Sequence, residues 1–334
     1  MAFPRSLVSV GPLLAATLAI ALVATIVEHA APAGLLLAAN RPGGDPGDPT
    51  VRLGRAAYPR HATGADGVGV TIARPVRRVV SQDPAIDEYV YAVVPPERVV
   101  GVSESASQPA ISNVYRFTER FHPIIASDPE AVVRADPDLV LVSSAARSDF
   151  SNLLRTSGVP VYRMYTVPTT LAHIESQIRV VGYLTGEDDR AAAELARFRE
   201  AVRRASASKP AGAPAPRVLG LGGHYSYGSQ TLFHDVLRVL GAVNVGAEHG
   251  LRGYDALTDE RIVRWNPDWI VAGADRGTTS DVLARLLAQP AIAGTTAAAR
   301  GQIVVLEQHV FLPLSPYTTL LLDALADAFY GVRQ

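Results

Sequence analysis

Short, uninterrupted apolar runs alternate along this chain with longer segments whose apolar residues recur every three or four positions. The runs include Arg78-Val79-Val80-Ser81, Arg98-Val99-Val100-Gly101-Val102 and Leu139-Val140-Leu141-Val142, then residues 159–164. After residue 208 the same pattern restarts with Arg217-Val218-Leu219-Gly220-Leu221, Trp269-Ile270-Val271-Ala272 and Ile303-Val304-Val305-Leu306. A continuous apolar run of this length reads as a strand buried on both faces. The intervening segments 85–93, 150–157, 232–240, 281–288 and 316–330 read as helices, and 108–122 as irregular. Strands alternating with helices predict an α/β protein with mainly parallel sheets.

Between the two series lie two predicted helices over 170–206. The second, 187–206, contains no Gly or Pro and is rich in Ala, Leu, Glu and Arg, all strong helix formers. Asp188 and Asp189 open it, and Arg203 and Arg204 close it, which suits the helix dipole at both ends. About 20 helical residues reach about 30 Å, the width of a small domain. Lys209-Pro210-Ala211-Gly212 then stops it. The order of elements predicts two similar α/β lobes, at 66–168 and 209–334, joined by one long helix within 169–208.

An internal repeat strengthens that division. Asp128-Pro129-Glu130-Ala131-Val132-Val133-Arg134-Ala135-Asp136-Pro137-Asp138-Leu139-Val140 recurs as Thr258-Asp259-Glu260-Arg261-Ile262-Val263-Arg264-Trp265-Asn266-Pro267-Asp268-Trp269-Ile270. Glu, Val, Arg, Pro and Asp are the identical positions. Each copy reads as an N-cap, a short helix, a Pro-Asp turn and a buried strand.

Composition narrows the possible roles. The 334 residues suffice for two domains with real cores, and 48% hydrophobic with 19% charged residues is globular. A net charge of −1 implies no general attraction to nucleic acid. The absence of Cys excludes disulfides, thiolate metal sites, a Cys nucleophile and a lipid-modified N-terminal Cys, so a lipoprotein is not expected. The uncharged apolar run 7–27 and the small-residue site Ala31-Pro32-Ala33 read as an export signal over 1–40, cleaved or kept as an anchor. Residues 41–65 begin with a Pro- and Gly-rich stretch and read as a flexible tether. The bulk of the chain is therefore expected outside the cytoplasm.

The blocks Arg78-Val79-Val80-Ser81, Arg98-Val99-Val100-Gly101-Val102, Asp136-Pro137-Asp138-Leu139-Val140, Asp235-Val236-Leu237 with Gly241-Ala242-Val243-Asn244, and Asn266-Pro267-Asp268-Trp269-Ile270 resemble, in order and spacing, a known family. It is that of the periplasmic substrate-binding proteins of iron-siderophore, cobalamin and haem ABC importers, and the resemblance covers residues 66–331. It implies two α/β lobes bridged by a rigid helix that permits little lobe motion, a monomer, and a ligand held between the lobes. That ligand is a metal chelate, with a ferric siderophore as first expectation and cobalamin or haem as alternatives, and no resident cofactor. It also implies a partner, the importer's transmembrane permease. Glu130 and Glu260 match the exposed glutamates with which family members dock on permease arginines.

In such a fold, ligand contacts come from loops at the strand ends. The first lobe offers Ser81, Gln82 and Asp83, then Ser103 to Ser105, Tyr115 and Arg116, then Ser144 and Arg147. The second offers His224, Tyr225, Tyr227, Tyr254, Asp275, Arg276, Gln308 and His309. Tyrosine brings a flat face and a hydroxyl, and arginine pairs with carboxylates or an anionic chelate. The rival reading is an α/β-hydrolase, because Ser226, Asp275 and His309 follow successive strands in the order such enzymes use. His224 stands where the nucleophile turn needs a small residue, and no oxyanion loop is evident. The sequence has no dinucleotide-binding or P-loop signature and no metal-binding His spacing.

Overall fold

The computed structural model describes residues 57–126, 128–311 and 313–331. The expected export signal and most of the expected tether lie outside these residues. Arg60–Thr63 (β1) and Gly69–Ile72 (β2) pair as an antiparallel hairpin, so the end of the expected tether is a strand. Arg60 accounts for this. It is 5% exposed, packs its guanidinium on the rings of Tyr58 and Tyr183, and pairs with Asp188 at 2.7 Å.

The first lobe continues with Val79–Ser81 (β3), Pro84–Val93 (α1), Val99–Val102 (β4), Tyr115–Phe121 (α2) and Ile124–Ile125 (β5). Pro129–Arg134 (α3), Leu139–Ser143 (β6), Ser148–Thr156 (α4) and Val161–Met164 (β7) complete it. Its five strands are all parallel, in the order β5-β4-β3-β6-β7. Helix α2 falls in the stretch expected to be irregular. Its aromatic residues have modest helix propensity, but Phe117 stacks on Tyr91 at 5.0 Å and Thr118 is buried. Tertiary packing fixes these two turns.

Leu171–Thr185 (α5) and Asp188–Ala207 (α6) then form an antiparallel pair between the lobes. Helix α6 buries Ala191, Leu195, Phe198, Ala201 and Ala205, the three-and-four spacing of one helix face. The join of the two lobes is therefore the expected long helix with a second helix laid along it. At one end Glu187 pairs with Arg98, and Arg190 Nε donates to the Val93 carbonyl at 2.7 Å, both in the first lobe. At the other, Arg204 lies 3.8 Å from Asp323 in the second lobe. Helix α5 runs the opposite way. Its Leu171 N–H donates to Asp235 of the second lobe at 2.8 Å, and its Thr185 carbonyl accepts from Arg98 of the first. A Cβ on Gly182 would lie 2.3 Å from Ala191 Cβ, so the glycine permits the close approach of the two helices.

The second lobe comprises Arg217–Gly222 (β8), Tyr225–Tyr227 (β9), Leu232–Val239 (α7), Val243–Asn244 (β10), Val245–Glu248 (α8) and Tyr254–Ala256 (β11). Next come Asp259–Trp265 (α9), Trp269–Ala274 (β12), Thr279–Leu287 (α10), Pro290–Ala293 (α11) and Thr296–Ala299 (α12). Ile303–Glu307 (β13), Gln308–Phe311 (α13) and Thr318–Tyr330 (α14) close it. The sheet order is β11-β9-β8-β12-β13, with β10 also on β8 and only β9 antiparallel to its neighbours. One apolar core runs from Val79, Tyr89 and Leu139 through Ile174, Ile178 and Phe198 to Val218, Leu237 and Leu322. The lobes are thus packed onto a shared spine rather than strung on a linker.

The repeat is the same local structure built twice. Asp128 caps α3 by accepting from the Ala131 N–H at 2.8 Å, and Thr258 caps α9 by accepting from Arg261 at 3.4 Å. Asp136 and Asn266 take the left-handed region at φ 45° and 41°, which short polar side chains tolerate. Arg78 reaches the carbonyls of Ala135 and Asp136, and Arg217 those of Trp265 and Asn266, closing the C-terminus of each helix. Strand β3 then pairs with β6, and β8 with β12, in parallel.

Candidate ligand-binding cleft

In both sheets the strand order reverses beside the sheet's first strand in sequence, between β3 and β6 and between β8 and β12. The crevice at the carboxyl ends of the strands at such a point is where open α/β sheets place ligands. The loops that leave those ends meet across the lobes. Asn113, beyond β4, donates to the His309 carbonyl beyond β13 at 2.9 Å. Arg276, beyond β12, reaches the Pro109 carbonyl at 3.4 Å and lies 5.7 Å from the centre of the Tyr115 ring. The Tyr115 hydroxyl accepts from Arg116 Nε at 3.1 Å. Arg116, and behind it Arg276, holds the phenol of Tyr115 below the usual tyrosine range. Two arginines from opposite lobes therefore share one tyrosine, leaving guanidinium donors for a carboxylate or another anionic group.

A second group belongs to the second lobe. Tyr225, Tyr227 and Tyr254 meet edge to face, with ring centres 5.6 to 5.8 Å apart. A Cβ on Gly222 would fall 2.3 Å from the Tyr225 ring, so only glycine lets that ring fold back over the turn between β8 and β9. Tyr254 is 36% exposed, yet desolvation pushes its hydroxyl up to about 12. A side chain both reachable by solvent and surrounded by protein lines a concavity. Tyr227 is 1% exposed, against Phe233 and Phe311, and lines an apolar niche with Leu232, Tyr254 and Leu314. Among the described residues its hydroxyl has no hydrogen-bond partner. His224 is exposed at the turn of the same hairpin.

Other expected contacts turn inward. Ser81 is fully buried and Ser103 is 9% exposed; the hydroxyls of both donate to Asp87, that of Ser103 at 2.5 Å. Asp83 caps α1 by accepting from the Ala85 N–H at 2.9 Å, and burial raises its pKa. Gln82 donates to the Ala126 carbonyl. Arg147 is exposed and pairs with Asp149 at 3.2 Å. His309 is partly buried, 3.4 Å from Glu307. Glu130 and Glu260 are exposed in the first turns of α3 and α9. A tight turn reverses the chain between each of these helices and the strand after it, so both glutamates lie at the carboxyl-end side of their sheets.

The hydrolase constellation does not form. Ser226 sits within β9, fully buried, and donates to the Gly220 carbonyl at 2.8 Å. An antiparallel hairpin replaces the sharp strand-to-helix turn that exposes a nucleophile. Among the described residues no cluster of His, Asp and Glu is arranged to hold a metal ion.

Sequence reasoning passed over Asp87 and Glu88. Asp87 is 0% exposed, and besides the two serines it accepts from the Ser103 N–H. Glu88 is 5% exposed and accepts from the Asn113 backbone and side chain and, at 2.5 Å, from Ser315 of the second lobe. Two adjacent carboxylates in an otherwise apolar helix, Ile86-Asp87-Glu88-Tyr89-Val90, are the signal that points to them. Asp87 locks the ends of β3 and β4 together, while Glu88 ties α1 to the far lobe.

Burial lifts the Asp87 carboxyl from 3.8 to about 7. Across that window the folded protein keeps a proton that the unfolded chain has released. Stability therefore falls as pH rises from 3.8 towards 7 and is level above. Asp83 and Glu88 are raised in the same direction by burial. Asp87→Asn should flatten the slope in part, with the other two carboxyls keeping the remainder. Thermal melts of both proteins from acid to neutral pH check this; identical slopes would mean Asp87 carries none of it.

The periplasmic binding protein family matches residues 79–310. The chain is 29% identical over 318 residues to a cobalamin-binding protein of Halobacterium salinarum, covering 93% of this chain and 83% of that one. It is 26% identical over 260 residues to an uncharacterized ABC transporter substrate-binding lipoprotein of Bacillus subtilis, covering 72% and 78%. A solved periplasmic haem-binding protein from Pseudomonas aeruginosa shares 26% identity at a TM-score of 0.64, covering 78% of this chain and 94% of its own. Such proteins carry ligands for transport and are not enzymes. With a match over residues 79–310 and the two-lobe α/β architecture, the chain belongs to the periplasmic binding protein family.

Proposed function

We propose that this protein captures a metal chelate between its lobes, outside the cytoplasm, and delivers it to the permease of an ABC importer. The observation that carries this reading is the meeting of Tyr115 and Arg116 of one lobe with Arg276 of the other. The Tyr225–Tyr254 cluster adds flat aromatic faces. In this reading Tyr115, Arg116, His224, Tyr225, Tyr254 and Arg276 contact the ligand directly. Ser81, Gln82, Asp83, Ser103, Arg147, Tyr227 and His309 frame the loops around it. Relatives named for cobalamin and for haem set those tetrapyrroles beside the ferric siderophore as candidate cargo. Tyrosine faces and guanidinium donors suit all three. The apolar segment 7–27 serves export, whether cleaved or retained, and Glu130 and Glu260 dock the loaded protein on the permease.

Visible absorption of purified protein incubated with cyanocobalamin, haemin or a ferric siderophore and then gel-filtered tests the reading. One chromophore should co-elute, with a spectrum that identifies the class. Failure of all three to co-elute, with no heat of binding by calorimetry, overturns it.

A further inference from the structure

The repeat keeps more than the fold requires. Of its identical positions, the Pro-Asp pair has a local role. Asp138 accepts from the Arg77 and Arg78 N–H groups, and the Asp138 and Asp268 N–H groups donate to the carbonyls of Arg78 and Arg217, both at 2.9 Å. The inward apolar position is Val132 in one copy and Ile262 in the other, 0% and 5% exposed, and it varies within the limits of a core site. Three identities remain, Glu130, Val133 and Arg134 against Glu260, Val263 and Arg264. None of them is buried. Val133 is 40% exposed and Val263 58%, and both rank among the large apolar residues that solvent reaches. The side chains of Glu130 and Arg134 are 89% and 71% exposed, and their charges are 3.8 Å apart. Glu260 and Arg264 are exposed too, and Arg264 helps hold Glu260 below the usual carboxylate range after its own backbone and Thr258.

Residues at i, i+3 and i+4 share one face of a helix. Each lobe therefore presents an acid, an apolar side chain and a base on one short exposed face, at the carboxyl-end side of its sheet. A lone exposed valine is ordinary on a protein surface. The same valine in both lobes, beside the same two charges and outside the apolar cores of the described residues, is not explained by core packing. Stable protein contacts put apolar side chains at the centre of a patch and charges around it.

We infer that the importer's membrane-spanning subunits read a duplicated Glu–Val–Arg face, Glu130–Val133–Arg134 and Glu260–Val263–Arg264, and not two glutamates alone. This rests on the docking reading above and extends it. The partner surface it requires offers, twice, a cation for the glutamate, an apolar recess for the valine and an acid for the arginine.

The test is the paired variant Val133→Ser with Val263→Ser, because serine and valine have similar helix propensity and neither site is in the core. Purified protein over a range of concentrations is added to spheroplasts lacking their own copy. Initial uptake of cyanocobalamin, haemin and a ferric siderophore is then followed, with ligand affinity measured separately. The variant should need about tenfold more protein for the same uptake, a change corresponding to about 1.4 kcal/mol, with ligand affinity and melting temperature unchanged. If it matches the wild type while Glu130→Arg with Glu260→Arg abolishes uptake, the valines have no role and the glutamates stand. If both variants transport normally, the docking reading falls with its extension. Wild-type protein that drives uptake of none of the three probes would overturn both.

Discussion

Glu130→Arg combined with Glu260→Arg is expected to abolish chelate uptake and leave ligand affinity untouched. Both side chains stand in solvent, and among the described residues the only ion pair of either is the weak one between Glu130 and Arg134 at 3.8 Å. Exchanging them leaves the core and the cleft tyrosines as they are. Substitutions at such surface sites usually change stability little. A partner that presents cations to the glutamates would meet like charge at both lobes, and like charges facing across an interface cost far more than the loss of one attraction. Each single reversal should cut uptake in part. The pair acts on both halves of a two-point attachment, so the losses multiply. Uptake into cells lacking their own copy, beside calorimetric affinity for the same ligand, checks the result. Lost affinity in the double variant would sink the docking role, since it would place the glutamates in the binding fold.

The parts of this fold set by local rules were legible from the residues. The buried apolar runs became strands within two residues of their expected limits, as did the long Ala- and Arg-rich helix, found at Asp188–Ala207. The repeat announced two equivalent lobes because its Pro-Asp turn and its N-caps are chemical necessities that recur. Elements held by distant contacts were not legible. Strand β1 depends on Asp188, more than a hundred residues away, and α2 depends on a stack between Phe117 and Tyr91. The cleft was half legible. Strand ends identify the loops that face it, so Tyr115, Arg116, Tyr254 and Arg276 were named. Only three-dimensional packing reveals that Ser81 and Ser103 turn to Asp87, or that Tyr227 is walled in by Phe233 and Phe311. Buried polar partners leave a faint trace in sequence, here two carboxylates within an apolar helix.

A proline at Ala196 is the second change expected to have a large effect, and it tests whether α6 sets the cleft. Ala196 is exposed in the middle of the helix, so the added ring meets solvent and not the core. The damage comes from the backbone. Proline removes the hydrogen bond to the Ala192 carbonyl and crowds that carbonyl, at a cost of about 3 kcal/mol and with a kink. A loss of that size lowers the melting temperature by about 6–12 °C in a protein somewhat smaller than this one. Stability alone does not isolate the strut. Leu195→Ala, one residue away on the buried face, should cost about 2–5 kcal/mol by leaving a cavity while the helix stays straight. The two variants are then similar in stability and different in geometry. A kink midway along α6 tilts the contacts of Glu187 and Arg190 with the first lobe against those of Arg204 with the second. That displacement separates Tyr115 and Arg116 from Arg276, and with them the two halves of the site. Ala196→Pro should therefore bind and transport far less well than Leu195→Ala at a temperature where both are folded. Equal affinity and equal uptake in the two would mean that the shared core, and not the straightness of α6, holds the lobes at their working distance.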